Sequence, residues 1–478
     1  MTPPCHSVKE EVAAVDEQVA RLDEELRALD KRREEIEEEK TALAQQRIAA
    51  LARTAPINAM LPEVFVSIFE EVCSVGDREA VETAFHLTTV SKMWREIMLN
   101  TPRAWGKILI EVDDDSQARP MIRRAQAFLE RSKVTPITIT IDVGSWSKTE
   151  ERASMVADML DLVAPHIHRC TRLICKGRDE ADAPAFLTRL TPHFGPTLAD
   201  FTIESRDSIR LQMPEMPHLA RLAIDDVGPS GAWPKNMLSN LKILWIRYIK
   251  PIQFEGFLDA LSSTKDRLEE LRFCRCTLAF DSHGFLFPAP STIRATFPKL
   301  KKLTLIDILP GDIDVIFESI SAPTLEEVHL GLDSARFRYF KFMDSSIATS
   351  FSQGTIKRLE LEDCTVENSE LRALLATLQT VGSSLKTLAF TAGEIDMRLY
   401  EVLIAEPSIM PHLTRLECKR INGDLTGREM LRLVQARAGH GRGVAPLQSL
   451  LVENCRSFEH EMIGQIKQFV RDVQFTPF

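Results

Sequence analysis

Four groups of residues in this 478-residue chain have types and spacings that suggest chemistry. His166, His168, Cys170 and Cys175 combine the nitrogen and sulfur donors that zinc prefers. However, the two cysteines bracket an apolar, strand-like run, and side chains needed for packing there cannot also converge on a tetrahedral ion. Cys274 and Cys276 flank a single residue, but neither has an obvious histidine to take its proton, so a thiol nucleophile is not expected. Gly439-His440-Gly441-Arg442-Gly443 is glycine-rich but lacks the Gly-Lys-Ser/Thr ending of a phosphate loop. Arg336 to Lys341 (R-F-R-Y-F-K) interleaves cations and aromatics as single-strand nucleic-acid binders do, but it is one hexamer in a chain of net charge −10. The residues therefore predict no enzyme active site, no cofactor and no metal.

The totals narrow the class further. A hydrophobic content of 44% with 27% charged residues is that of a globular chain. The acidic balance argues against binding along a phosphate backbone. No apolar run reaches the ~18 residues that span a bilayer, and the N-terminus lacks the charged start and apolar centre of a secretory signal. Nine scattered cysteines, none in a C-x-x-C pair, read as reduced thiols of a cytoplasmic or nuclear protein.

What remains is recognition, and its clearest carrier runs from Asn58 to Trp105. Pro62 suits the first turn of a helix, and Glu63 complements the positive end of its dipole. Val64, Ile68 and Val72 recur every four residues, with Leu61, Phe65 and Phe69 on adjoining faces. A second run carries Phe85, Leu87, Val90, Trp94 and Ile97. A unit of fewer than ~50 residues has little core of its own, so this apolar excess predicts a partner-binding surface.

The pattern L-P-x-x-x-x-x-I-F followed by L-x-x-V-S-K-x-W-R resembles the F-box, the helical module that docks the Skp adaptor of cullin-based ubiquitin ligases. The matching residues are Leu61, Pro62, Val64, Ile68, Phe69, Leu87, Val90, Ser91, Lys92, Trp94 and Arg95. One departure stands out: the connection between Val72 and Leu87 is longer than the family's short acidic-Pro-Asp link. The resemblance implies a helical domain over 54–104 that binds the adaptor and, through it, a cullin.

Ahead of it, residues 8–53 are almost free of Gly and Pro. Val8, Val12, Val15, Val19, Leu22, Leu26, Leu29 and Ile36 follow the alternating steps of a coiled-coil seam, onto which Arg33, Lys40 and Arg47 also fall. Two readings stay open: a homodimer or partner-helix contact, or a solvated single helix laced by ion pairs three or four residues apart. Thr54-Ala55-Pro56 ends this helix.

From Trp105 to Phe478 the chain changes character. Segments of the form L-x-x-L-x-L begin at Leu198, Leu219, Leu241, Leu268, Leu300, Leu325, Ile356, Leu385, Leu413 and Leu447, 21 to 34 residues apart. Weaker copies start at Trp105, Val134 and Cys170. Helical periodicity recurs between them, around Phe257–Leu261, Ile313–Ile320, Leu371–Leu378 and Met462–Val470. Three units carry a cysteine at the ninth position (Cys276, Cys364 and Cys455), where a small side chain fits the turn closing the strand. The repeats resemble cysteine-type leucine-rich repeats. They imply an α/β solenoid over 105–478, a parallel sheet with helices outside, because one strand–helix unit cannot cover its own apolar edge and its neighbour must.

On each strand the third, fifth and seventh positions face away from the buried leucines. They present Trp245, Arg247, Glu270, Arg272, Lys302, His329, Arg358, Glu360, Glu362, Arg415, Glu417 and Lys419. An aromatic flanked by arginines has the composition of a binding hot spot, which makes Trp245, Arg247, Arg272, His329, Glu360 and Glu417 the expected client contacts. The competing reading is that a loop covers Trp245 and the charges form a solvated face. The resemblances together imply the substrate-recognition subunit of a Skp–cullin–F-box ligase, holding an unknown client and catalysing nothing itself. The alternative is an interaction scaffold without a ligase.

Overall fold

The computed structural model describes residues 5–54, 56–144, 150–211, 216–229, 233–234, 238–249, 251–279, 294–331, 356–366, 368–423, 425–439, 441 and 443–477. The chain opens with one long helix, α1 (Cys5–Thr54), which stops where Pro56 requires. Three shorter helices follow: α2 (Pro62–Val72), α3 (Arg78–Val90) and α4 (Lys92–Leu99). Leu61 is extended ahead of Pro62 at the first helical position, and the Ser91 side chain accepts the Trp94 N–H at 3.1 Å, capping α4. The long connection after Val72 is mostly helix. Only Cys73 to Asp77 forms a loop, and α3 begins directly after it.

Thereafter strands and helices alternate. The strands are β1 (Lys107–Val112), β2 (Ile137–Val143), β3 (Cys170–Gly177), β4 (Asp200–Leu211), β5 (Arg221–Pro229), β6 (Ile243–Arg247) and β7 (Glu270–Cys274). They continue as β8 (Lys302–Ile306), β9 (Glu327–Gly331), β10 (Arg358–Val366), β11 (Thr387–Ile395), β12 (Arg415–Lys419), β13 (Ser449–Glu453) and β14 (Asp472–Thr476). All fourteen lie in one sheet in chain order, every described pairing is parallel, and the short strand Asn422–Gly423 pairs beside β11. Such a long parallel α/β sheet is compatible with a solenoid-like stack.

Aligned strands show why the sequence repeats. The leucine-type rows, Leu244 beside Leu271 beside Leu303 and Ile246 beside Phe273 beside Leu305, are buried. With the inner faces of the connecting helices they form one continuous core. Phe254–Leu261, Pro310–Ser319 and Asn368–Val381 are helices, as their periodicity predicts. Residues 462–470 contain only the short helix Ile463–Ile466, after which Val470, Val473 and Phe475 supply one more copy of the strand pattern.

Eight strands share a bend, which follows the last residue of β6, β7, β8, β12 and β13 and lies within β5, β10 and β11. Asp226, Tyr248, Arg275, Asp307, Asp363, Ala392, Arg420 and Asn454 all have φ of 52 to 57° and hold the same place, directly after the seventh position of their repeats. The bend turns the chain off the sheet without losing a pairing: the N–H of Tyr248, Arg275, Asp307, Arg420 or Asn454 donates to a carbonyl on the next strand at 2.7 to 2.9 Å. The next residue points inward. There Cys276 and Cys455 are buried with their thiols against main-chain carbonyls of the preceding strand, Ile246 and Cys418, at 3.5 and 3.3 Å. The side chain of Cys364 and the whole of Arg336–Lys341 lie outside the described residues.

Candidate functional site

Two surfaces collect the residues singled out above. The first is the unit of α2, α3 and α4. Its centre is aromatic: Trp94 of α4 stands 5.6 Å from Phe65 and 5.1 Å from Phe69 of α2, centroid to centroid. Phe65, Phe69 and Cys73 repeat every four residues and turn inward, and Phe69 is only 1% exposed. Phe69 is therefore a core residue, not an adaptor contact. Trp94 and Leu87 are half-buried.

The adjoining face of α2 has no such cover among the described residues. Leu61 (67% exposed), Val64, Ile68 and Val72 stand outward, with Val90 (58% exposed) on α3. Pro62, Ser91 and Arg95 are exposed as well, and Arg95 donates to the Thr88 carbonyl at 2.9 Å, tying α4 to α3. The unit is seated on the start of the sheet. Phe85 packs edge-on to Trp105 and Phe128, Arg78 pairs with Glu111 of β1 at 2.5 Å, and Lys107 Nζ reaches the Gly76 carbonyl at 2.6 Å.

The second surface is the sheet face opposite the core. In the parallel register Trp245 lies beside Arg272, followed by Thr304, His329, Glu360, Ala389 and Glu417. The Trp245 ring is stacked between two guanidiniums, Arg221 at 4.0 Å and Arg272 at 5.0 Å, and its N–H is given to Glu270 at 3.1 Å. The ring is half-buried, and among the described residues these contacts come from neighbouring strands. Arg247 pairs with Asp225 at 2.9 Å. Glu417 is buried beneath Arg358, which grips both its oxygens at 3.0 Å, and Arg415 at 2.6 Å. Burial opposes its charge, but the Arg358 and Arg415 contacts outweigh burial and bring its pKa down to about 2.

Of the six expected client contacts, the structure brings three together. Arg272, His329 and Glu360 line one hollow of about 210 Å³ with Lys302, Glu327, Val328 and Arg358. His329 Nε2 lies 2.9 Å from Glu362 Oε2, the first cause of that carboxyl's pKa falling below the usual range. Trp245 and Arg247 lie to one side, on β6, and Glu417 on the other, on β12. The sequence reading overlooked a larger hollow of about 350 Å³, lined by Asp142, Lys176, Gly177, Arg178, Glu204, Ser205 and Arg206. Asp142, Lys176 and Glu204 share one row across the strands; Lys176 and Glu204 hold seventh positions, but counting from Val134 put Asp142 out of register.

The residues weighed for a metal site lie apart from both surfaces. Cys170 and Cys175 are buried on β3, and burial pushes the Cys170 thiol up to about 12. His168 Nδ1 is 2.8 Å from the Pro165 carbonyl. Among the described residues no three His, Cys, Asp or Glu side chains are grouped to hold a metal, and no helix is long and apolar enough to cross a membrane. His440 and Arg442 of the glycine-rich segment lie outside the described residues.

No protein-family model matches the chain, and no curated protein matches it. Among solved structures, a crystal structure of a Bacteroides fragilis protein is similar at 13% identity, with a TM-score of 0.29. That match covers 59% of this chain and 66% of the bacterial protein, just under two thirds of its length.

Proposed function

We propose that the chain is the substrate-recognition subunit of a Skp–cullin–F-box ubiquitin ligase, its helical unit an F-box and its sheet a leucine-rich-repeat array. One observation carries the reading. Phe65, Phe69 and Trp94 satisfy the inside of the unit, yet Leu61, Val64, Ile68 and Val90 remain outside it. Exposed aliphatic side chains in one patch mark a protein-binding surface. The adaptor would cover them, and the charged face with its hollow would hold the client. The subunit then accelerates transfer by proximity alone, turning an encounter in solution into one within a complex.

The test is direct. The recombinant chain captures the Skp adaptor at micromolar concentration, and Leu61→Ala with Pro62→Ala abolishes capture; no association of the wild-type chain overturns the reading. A second reading, an interaction scaffold without a ligase, draws on the departure after Val72, where an extra-long connection builds α3 onto the sheet. Adaptor binding with no cullin in the complex would favour it.

A further inference from the structure

We propose that α1 pairs with α1 of a second copy of this chain, antiparallel and in a single register. Every side chain described from Glu10 to Leu51 is exposed, so no described residue covers the seam. Val15, Leu22, Leu29, Ile36 and Leu43 hold one set of seam positions throughout, and all stand in water. The alternate set changes character half-way along: Val12, Val19 and Leu26 give way to Arg33, Lys40 and Arg47.

That change decides orientation. In a parallel pair identical seam residues meet, so Arg33, Lys40 and Arg47 would each face themselves. Reversing one helix removes that self-pairing. When Arg33 of one copy lies across from Leu29 of the other, Lys40 falls across from Leu22 and Arg47 across from Val15. In the same register Val19 meets Leu43 and Leu26 meets Ile36, two wholly apolar layers.

The acids then complete the match. Asp30, Asp23 and Asp16 directly follow Leu29, Leu22 and Val15, on the flank that faces the oncoming basic residue. Each lies about 1.5 Å along the axis from the layer it serves. Arg33, Lys40 and Arg47 can lay their stems over the seam and deliver their charge to these carboxylates. In the lone helix Arg33 and Lys40 reach only exposed Asp30 and Glu37 of their own chain, at 3.9 and 3.5 Å, contacts worth little. This pairing is independent of the ligase reading.

The experiment uses the full chain. Light scattering at micromolar concentration should return twice the 54.0 kDa of one copy. Under mild oxidation, Val15→Cys chains mixed with Arg47→Cys chains should form a covalent dimer that neither variant forms alone, above the baseline of wild-type cysteines. Arg47→Asp should weaken self-association about tenfold, and adding Asp16→Arg should restore it, with circular dichroism unchanged. A monomer at these concentrations, which includes a helix reserved for some other protein, overturns the proposal. So does a Val15→Cys dimer formed without the mixed partner.

Discussion

At the residue scale, buried carboxylates divide into two kinds that respond to pH with opposite sign. Glu417 has its pKa lowered to about 2, so its contribution is complete above the ordinary carboxylate range and is lost as the pH falls through it toward 2. The size is about 3 kcal/mol from the shift alone. Glu417→Gln should therefore destabilise the chain by about 2–4 kcal/mol at neutral pH and flatten the acid limb of its urea midpoints. Asp312 is the opposite case: burial raises its pKa to about 6, and only the Leu278 N–H, at 3.0 Å, opposes that. Its folded form prefers the proton, so stability is lost as the pH rises from near 4 through 6. Asp312→Asn keeps an oxygen for Leu278 and should gain about 1–3 kcal/mol at pH 8 while changing little at pH 4. A gain equal at both pH values would refute the assignment.

At the scale of elements, α2 has two apolar faces with different duties. Phe69→Ala should cost about 3–5 kcal/mol of folding stability, because it empties the space between α2 and Trp94. Ile68→Ala, one residue away, should change stability by no more than about 0.5 kcal/mol and weaken adaptor capture instead. Denaturant midpoints and capture assays on the same two proteins separate these effects. The bend within β11 offers a second check. Ala392 is held at φ 57°, where a β-carbon costs about 1–2 kcal/mol, so Ala392→Gly should not destabilise and should gain up to about 1 kcal/mol. The sequence made α2 legible as a helix from Pro62 onward, but not the division of its faces. Leu61, Val64, Phe65, Ile68 and Phe69 are equally apolar, and only the position of Trp94 decides which go inside. The fate of Trp245 was hidden for a related reason: its stacking on Arg221 and Arg272 needs the strand-to-strand register, and those residues belong to different repeats.

At the scale of the whole molecule, ten strands, β4 to β13, were legible because a leucine or isoleucine stands two residues before each. Strands β1 to β3 gave only the weaker copies at Trp105, Val134 and Cys170, of which Val134 is exposed. The fourteenth was not, since Val470, Val473 and Phe475 carry the pattern without a single leucine and an amphipathic helix fits the same letters. Among the described residues β14 pairs on one side only, with β13, and Phe475 covers Phe458 at 5.7 Å. Phe475→Asp should then loosen the end of the array first, seen as faster amide exchange in β13 and β14 with β1 to β5 unchanged.

The seating of α3 on β1 sets a length. Strands repeat every ~4.8 Å, so β1 and β9 stand roughly 40 Å apart through eight intervals. Under the proposed function, a passenger held at His329 would ride on a boom of set reach instead of a slack tether. Which of its lysines were modified would then follow from where they sat on its surface, and grafting one more repeat between β1 and β9 would shift the choice to different lysines.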